Sequence, residues 1–282
     1  NSQKAKFTMA DHLPKGVRLV IFTGKNSSSE AKRIKDQFSP YIKRDRVTVV
    51  YVPGASNGFW ARDGVPVPVF RKPKNLEEKE FFSVVDARYS RFEQDKKFKD
   101  LFRAEMTSYD YYFEGGNFIA NSKNECLVVN KSATAQIPDS VFLQHYGCEV
   151  LTRLPYVKGI GHADESVKFI DDKTVMTDEE SYVEMLEERG YKVIMLPRPD
   201  RRYETYVNSL IVNGTVYVTI FDETNDKKAL QIYRDAGFEK VYGINTRTLS
   251  NQGLGSLHCI TMTYPPIEMN TLLQSMGGSV LQ

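Results

Sequence analysis

An order of strand, strand, helix, strand recurs along this chain roughly every 55 residues, about five times over. Alternation of that kind restricts the chain to an α/β fold built from small repeated units. Residues 17–22 are apolar and β-branched, and Ser27-Ser28-Ser29-Glu30 is a capping box opening a helix with Ile34 and Phe38 on one face. A strand at 47–52 follows, then a Gly- and Ser-rich loop at 53–64. The second unit pairs 67–70 with 81–85, Pro68 placing the first strand at an edge, and continues into a charged helix at about 94–106. Strands at 118–121 and 126–130, a helix from about Pro138 and a strand at 149–154 make the third. The fourth has strands at 166–170 and 174–177, a helix at 179–189 and a strand at 192–196. In the fifth, strands at 207–212 and 215–220 flank Asn213-Gly214, the strongest short hairpin signal. A helix at 226–236 and strands at 241–244 and 257–263 complete it. No break in composition divides these rounds, so residues 1–282 read as one domain, with 277–282 set aside as a processing scar.

Charge excludes several partners. The 38 basic and 36 acidic residues leave a net charge of +2, too weak a field to suggest nucleic acid or a membrane surface, and no apolar run is long enough to span a bilayer. Cys126, Cys148 and Cys259 cannot all pair and form no Cys-x-x-Cys, which excludes a disulfide scaffold and a zinc site. The four histidines never fall as His-x-x-x-His, so neither a metal nor a cofactor is expected. No signal peptide is visible, and the compartment stays open between cytoplasmic and secreted.

Four short stretches carry chemistry: Phe59-Trp60-Ala61-Arg62-Asp63-Gly64, Phe113-Glu114-Gly115-Gly116-Asn117, Gly161-His162-Ala163-Asp164-Glu165 and Leu257-His258-Cys259-Ile260-Thr261. The last follows a Gly-bearing run, 251–256, able to bring backbone close to a ligand. Cys259 is either a buried packing thiol or a nucleophile. Two carboxylates, Asp63 and Asp164, suit the planar fork of a guanidinium. That cation is a poor electrophile and needs a thiolate, whose pKa the same cation would lower. His162 would serve as acid toward departing ammonia and then as base for water. Together these groups give deimination. Blander readings stand beside each: Asp63 in a surface ion pair with Arg62, His162 as a turn neighbour, Glu114 to Asn117 as a structural turn, Glu165 as substrate contact or solvated side chain. His258 would face away from the site on a strand, in a core or supporting role.

Residues 60–66, 114–117, 161–164, 206–209 with 212–214, and 257–261 resemble, in order, the motifs of the agmatine deiminase and bacterial, Porphyromonas-type peptidylarginine deiminase family of guanidine-modifying penteins. The resemblance runs from about Val17 to Pro265 and implies a five-bladed α/β propeller of ββαβ units with a central active site. It implies Asp63 and Asp164 as the guanidine clamp, His162 as acid and base, and Cys259 as nucleophile. Trp60 matches the aromatic beside the substrate's aliphatic stem, and Asn208 an asparagine lining the pocket. Arg91, in Tyr89-Ser90-Arg91-Phe92-Glu93, is the nearest match to a two-arginine stretch that holds the carboxylate of a C-terminal arginine, with an acid here at the second arginine. Residues 251–256 lack the triple glycine of agmatine deiminases. Glu165 and Asn117 complete the expected substrate contacts. Mammalian relatives by resemblance require calcium, and no EF-hand loop occurs here. The expectation is therefore a metal-free deiminase of peptide or protein arginine, with agmatine as the alternative. A Cys-His peptidase leaves Asp63 unexplained, and a non-catalytic arginine-binding module would carry an inert Cys259.

Overall fold

The strands form five separate sheets in the computed structural model, which describes residues 2–51, 60–64, 67–71, 81–88, 105–264 and 281. The first pairs β1 (Leu19–Thr23) and β2 (Val47–Tyr51) in parallel, so the chain must cross over between them. It does so through the helix Ser28–Phe38, where Ser27 Oγ accepts the Glu30 N–H at 3.4 Å and Ala31, Ile34 and Phe38 are buried. The other four sheets repeat one plan. In each, a central strand runs antiparallel to the strand before it and parallel to the strand after it. The members are β3 (Val67–Arg71), β4 (Phe81–Arg88) and β5 (Glu105–Tyr112); β6 (Ile119–Ala120), β7 (Glu125–Asn130) and β8 (Val150–Pro155); β9 (Val167–Phe169), β10 (Thr174–Thr177) and β11 (Lys192–Met195); and β12 (Leu210–Val212), β13 (Thr215–Ile220) and β14 (Lys240–Asn245). Helices Asp139–Gln144, Val183–Glu188 and Asn225–Asp235 make the last three parallel crossovers. Pro68 sits on an edge strand, and Asn213 and Gly214 both take positive φ (46° and 75°), as a tight two-residue hairpin requires.

Period-two alternation explains where the core lies. On β7, Cys126 and Val128 join a cluster with Val85, Phe113 and Phe142, while Leu127 and Val129 join another with Val167, Val175 and Leu186. Val175 of β10 faces back to that cluster and Met176 forward to Val216 and Val218. The central strands β7, β10 and β13 are thus buried on both faces, and the sheets from β3–β5 through β12–β14 pack in sequence order. The helix Ser2–Asp11, which the sequence reading lacks, sets Ala5 and Met9 against Leu210, Tyr217 and Ile244, and Ala10 against Ile34, Phe38 and Val49. It therefore bridges the last sheet and the first. Among the described residues no helix is long and apolar enough to cross a membrane.

Four expectations change. Residues 94–104 of the charged helix lie outside the described residues, and Glu105 and Met106 belong to β5, paired to Ser83 and Val84, because the unit needs a parallel third strand there. Of the loop 53–64 only Trp60 to Gly64 is described, and Ala61–Gly64 is a short helix. Residues 257–260 form a turn, not a strand: Ile260 N–H bonds Ser256 O, Thr261 N–H bonds His258 O, and Thr261 Oγ1 bonds Leu257 O, so no neighbouring strand is needed. A helix, Arg247–Gly253, precedes that turn.

The fourth change is a disulfide. Cys126 and Cys148 are joined, their Cα atoms 5.8 Å apart, because the bend at Gly147 brings the approach to β8 beside the start of β7; Cys259 is the free thiol. One bridge is not a scaffold, but spacing alone missed the pair. Closing a loop of 22 residues restricts the unfolded chain, so replacing both cysteines with Ala is expected to cost about 3 kcal/mol. Thermal melts of the variant, and of the parent with and without reductant, check this; coincident midpoints would show that the bridge adds nothing.

Candidate active site

Cys259 sits in the turn after the Gly-bearing run, 2% exposed. The turn is held from both sides. Arg62, on the short helix Ala61–Gly64, donates its backbone N–H to Cys259 O at 3.0 Å and its buried Nε to His258 O at 3.3 Å. Asn208 accepts the His258 N–H through Oδ1 at 3.0 Å, while its Nδ2 reaches Cys259 Sγ at 3.3 Å and Asp164 O at 3.1 Å. His258 is thus fixed to Arg62, 196 positions away in the chain, and to Asn208, 50 positions away. Trp60 lies over the glycines: a Cβ on Gly255 would stand 3.0 Å from the indole and 3.2 Å from Cys259 Cβ. The glycines leave room for the indole against the turn.

Opposite the thiol, three side chains converge on Gly116. A Cβ there would lie 2.6 Å from His162 Nδ1, 2.9 Å from Asp63 Oδ1 and 3.3 Å from Asp164 Oδ1, so only glycine fits. Gly116 N–H donates to Asp63 Oδ1 at 2.9 Å. His162 Nε2 meets Glu114 Oε2 at 2.8 Å, and Lys131 Nζ bonds the same carboxylate. Asp164, in the turn Ala163–Glu165, takes His258 Nδ1 on Oδ2 at 2.7 Å, and Cys259 Sγ lies 3.6 Å from that oxygen. Asp164 Oδ1 and His162 Nδ1 are buried with no hydrogen-bond partner among the described residues; the 3.7 Å from His162 Nδ1 to Asp63 Oδ1 is too long for a bond. Unpaired buried polar atoms are costly unless a ligand answers them.

Burial raises the Asp63 carboxyl to about 6, helped by the neighbouring Asp164 and opposed by His162. Asp164 is also buried, yet the hydrogen bond from His258, with His162 and Arg62 nearby, holds it below the ordinary carboxylate value. Burial works against charge on His162 as well, and Asp63 and Glu114 overcome it, raising the imidazole. Glu114 is driven far down despite its burial, by His162 and Lys131. Burial and then Asp164, Glu165 and Asp63 push the Cys259 thiol well up. In the free protein it is a thiol in an acidic surround, which a bound cation would relieve.

Because His162 is raised by its carboxylates, the protonated ring is favoured until pH rises through that raised value. Glu114→Gln removes one of those charges, so the His162 titration is expected to move to lower pH. NMR titration of the labelled imidazole checks this, and an unmoved midpoint would sink the pairing.

Sequence reasoning placed Glu114 in a structural turn and gave Lys131 and Arg62 no part in catalysis; only the acid ahead of two glycines left a signal. Asn117, expected at the substrate, is fully buried and committed: Nδ2 bonds Val129 O and Thr134 Oγ1, and Oδ1 accepts from Val129 and Ala163. It braces the residue after His162. Glu165 points inward, takes Ile160 N–H, and is raised by burial and by Asp164 to about 8. Arg91 lies outside the described residues.

Residues 1–265 match the model of the Porphyromonas-type peptidyl-arginine deiminase family. The chain is similar in structure to a Porphyromonas gingivalis protein assigned as an arginine deiminase (20% identity, TM-score 0.72, covering 93% of this chain and 88% of that one). It is likewise similar to the agmatine deiminase of C. jejuni (20%, 0.71, 91% and 84%) and that of Enterococcus faecalis (18%, 0.71, 92% and 86%). At these identities the likeness is one of fold. No curated protein matches the sequence.

Proposed function

As the chain belongs to the Porphyromonas-type peptidyl-arginine deiminase family, we propose that it hydrolyses the guanidinium of arginine in peptides or proteins to citrulline and ammonia. Hydrolysis of C–N bonds in linear amidines is this family's reaction. One observation carries the reading here: a buried thiol lies 3.6 Å from Asp164, whose Oδ1 is an unanswered acceptor, while Asp63 Oδ1 and the unpartnered Nδ1 of His162 converge on the same glycine, two carboxylates complementary to a planar cation with N–H donors on two sides beside a ring able to give a proton.

In this reading Asp63 and Asp164 clamp the guanidinium over Cys259. The arriving positive charge offsets the carboxylates that hold the thiol protonated, so binding and activation coincide. As the cation binds, the thiol releases its proton to solvent; the thiolate adds to the guanidinium carbon, His162 gives a proton to the departing nitrogen, and ammonia leaves a thiouronium on Cys259 and takes up the released proton as ammonium. His162, now neutral, takes a proton from water; hydroxide adds to the same carbon, the C–S bond breaks, and the ureido product leaves with the thiol restored. Glu114 keeps the ring of His162 oriented and basic, as the third member of such relays does. Trp60 flanks the aliphatic stem, Asn208 orients sulfur and clamp, Glu165 lines the pocket as a neutral acid, and Arg91 meets a carboxylate or carbonyl of the substrate.

The same reading takes residues 1–282 as one domain and the five sheets as blades of a closed propeller. It is supported by apolar clusters between successive sheets and by the N-terminal helix that joins the last to the first. Agmatine is the second substrate reading, favoured by the shared fold with agmatine deiminases. Ammonia release measured across free arginine, agmatine and arginine peptides separates the two. Peptides are expected to turn over fastest, and Arg91→Ala to slow the peptide and spare agmatine. Equal indifference of both substrates to Arg91→Ala would remove Arg91 from the site, and release from no guanidine would overturn the reaction.

A further inference from the structure

We infer that His258, the residue ahead of the thiol, is a positioning residue: its ring donates from Nδ1 to Asp164 Oδ2 and so holds Asp164 Oδ1 toward the guanidinium. The inference rests on the deiminase reading for its consequence, and on geometry for its premise. Asp164 is fully buried, and its two oxygens are treated differently, Oδ2 bonded to His258 at 2.7 Å and Oδ1 left without a partner among the described residues. A carboxylate with neither oxygen tied can rotate about its last bond. This one cannot without giving up a buried hydrogen bond.

His258 is itself immobilised. Its N–H is taken by Asn208 Oδ1, its carbonyl accepts from Arg62 Nε, and Arg62 N–H holds the next carbonyl. The charged groups acting on its ring are Arg62, Lys168 and Asp164. Arg62 sits beneath the turn, and Lys168 lies buried on β9 in register with Met176. Burial first, and then these two cations, hold the imidazole near 3 despite the carboxylate, so it stays neutral with one N–H to give. A second imidazolium would cancel the charge of Asp164 that a guanidinium needs. The site thus carries two histidines of opposite character. His162 is raised by carboxylates, whereas His258 is lowered by burial and cations.

Two substitutions separate this role from packing. His258→Leu keeps bulk without a donor, and His258→Asn restores an N–H near the place of Nδ1. The Leu variant is expected to lose roughly 10- to 150-fold in kcat/KM, the range of a lost hydrogen bond to a charged group, chiefly through KM, with the Asn variant recovering most of it at an equal thermal midpoint. In 15N-labelled parent protein, the His258 ring should keep a neutral Nδ1–H form from pH 5 to 8. Normal kinetics in His258→Leu, no rescue by Asn in a folded variant, or titration of His258 within that range each overturns the inference. Should the parent release ammonia from no guanidine, the deiminase reading falls on that result alone, while the NMR titration still decides whether His258 is a fixed neutral donor.

Discussion

Replacing Cys259 with Ala is expected to abolish ammonia release from arginine peptides and agmatine alike, by on the order of 10⁴-fold or more in kcat/KM, because among the described residues no other side chain of the site is a nucleophile toward a resonance-stabilised carbon. Around it stand Asp63, Asp164, Glu165 and Asn208, none of which can displace nitrogen from a guanidinium. The fold should survive. Cys259 contributes one small buried side chain, and its turn is held through the backbone by Arg62 and Asn208, so the thermal midpoint should move by no more than about 1 kcal/mol would produce. In the free protein, before a cation relieves it, the thiol should react slowly with neutral iodoacetamide near pH 7, since burial and three carboxyl groups keep it protonated, so ammonia release rather than labelling separates a catalyst from a binding module. Ammonia assays on the folded variant decide the matter, and retained turnover would end the assignment of Cys259.

Asp63→Asn and Asp164→Asn are each expected to cripple every guanidine substrate. Both side chains are buried or nearly so, and the change keeps shape while replacing an anionic acceptor with an amide whose N–H groups face those of the substrate. For a desolvated charged pair the loss is about 2–5 kcal/mol, which is roughly 30-fold to several-thousand-fold in kcat/KM. Asp164 should be the more sensitive, because its change also disturbs the bond from His258 and the surroundings of the thiol. Lysine peptides, whose compact ammonium cannot span both carboxylates, should be neither bound well nor turned over. Near-normal activity in both variants would refute the clamp.

Much of this was legible in the chain before any tertiary structure. The capping box at Ser27 and the Asn213-Gly214 hairpin are local: a few consecutive residues satisfy their own backbone, so reading them needs no partner. The repeated unit is legible for a related reason, since a sheet buried on both faces demands apolar residues at every position of its central strand, as in Leu127 to Val129. Residues 257–263 show where that stops. Leu-His-Cys-Ile-Thr-Met-Thr has the composition of a strand, yet its backbone groups are answered by Ser256, Asn208 and Arg62, and it forms a turn.

Sequence by itself determined the family of elements and the residue types brought to the site, because periodicity and short motifs are properties of neighbouring residues. Tertiary structure alone decided which of them meet: Cys126 with Cys148, Glu114 with His162, His258 with Asp164. It also decided what each can do. Asp63 and Asp164 carry the same side chain, and one is raised to about 6 while the other is lowered, because burial and the field of surrounding charges exist only once distant segments have packed.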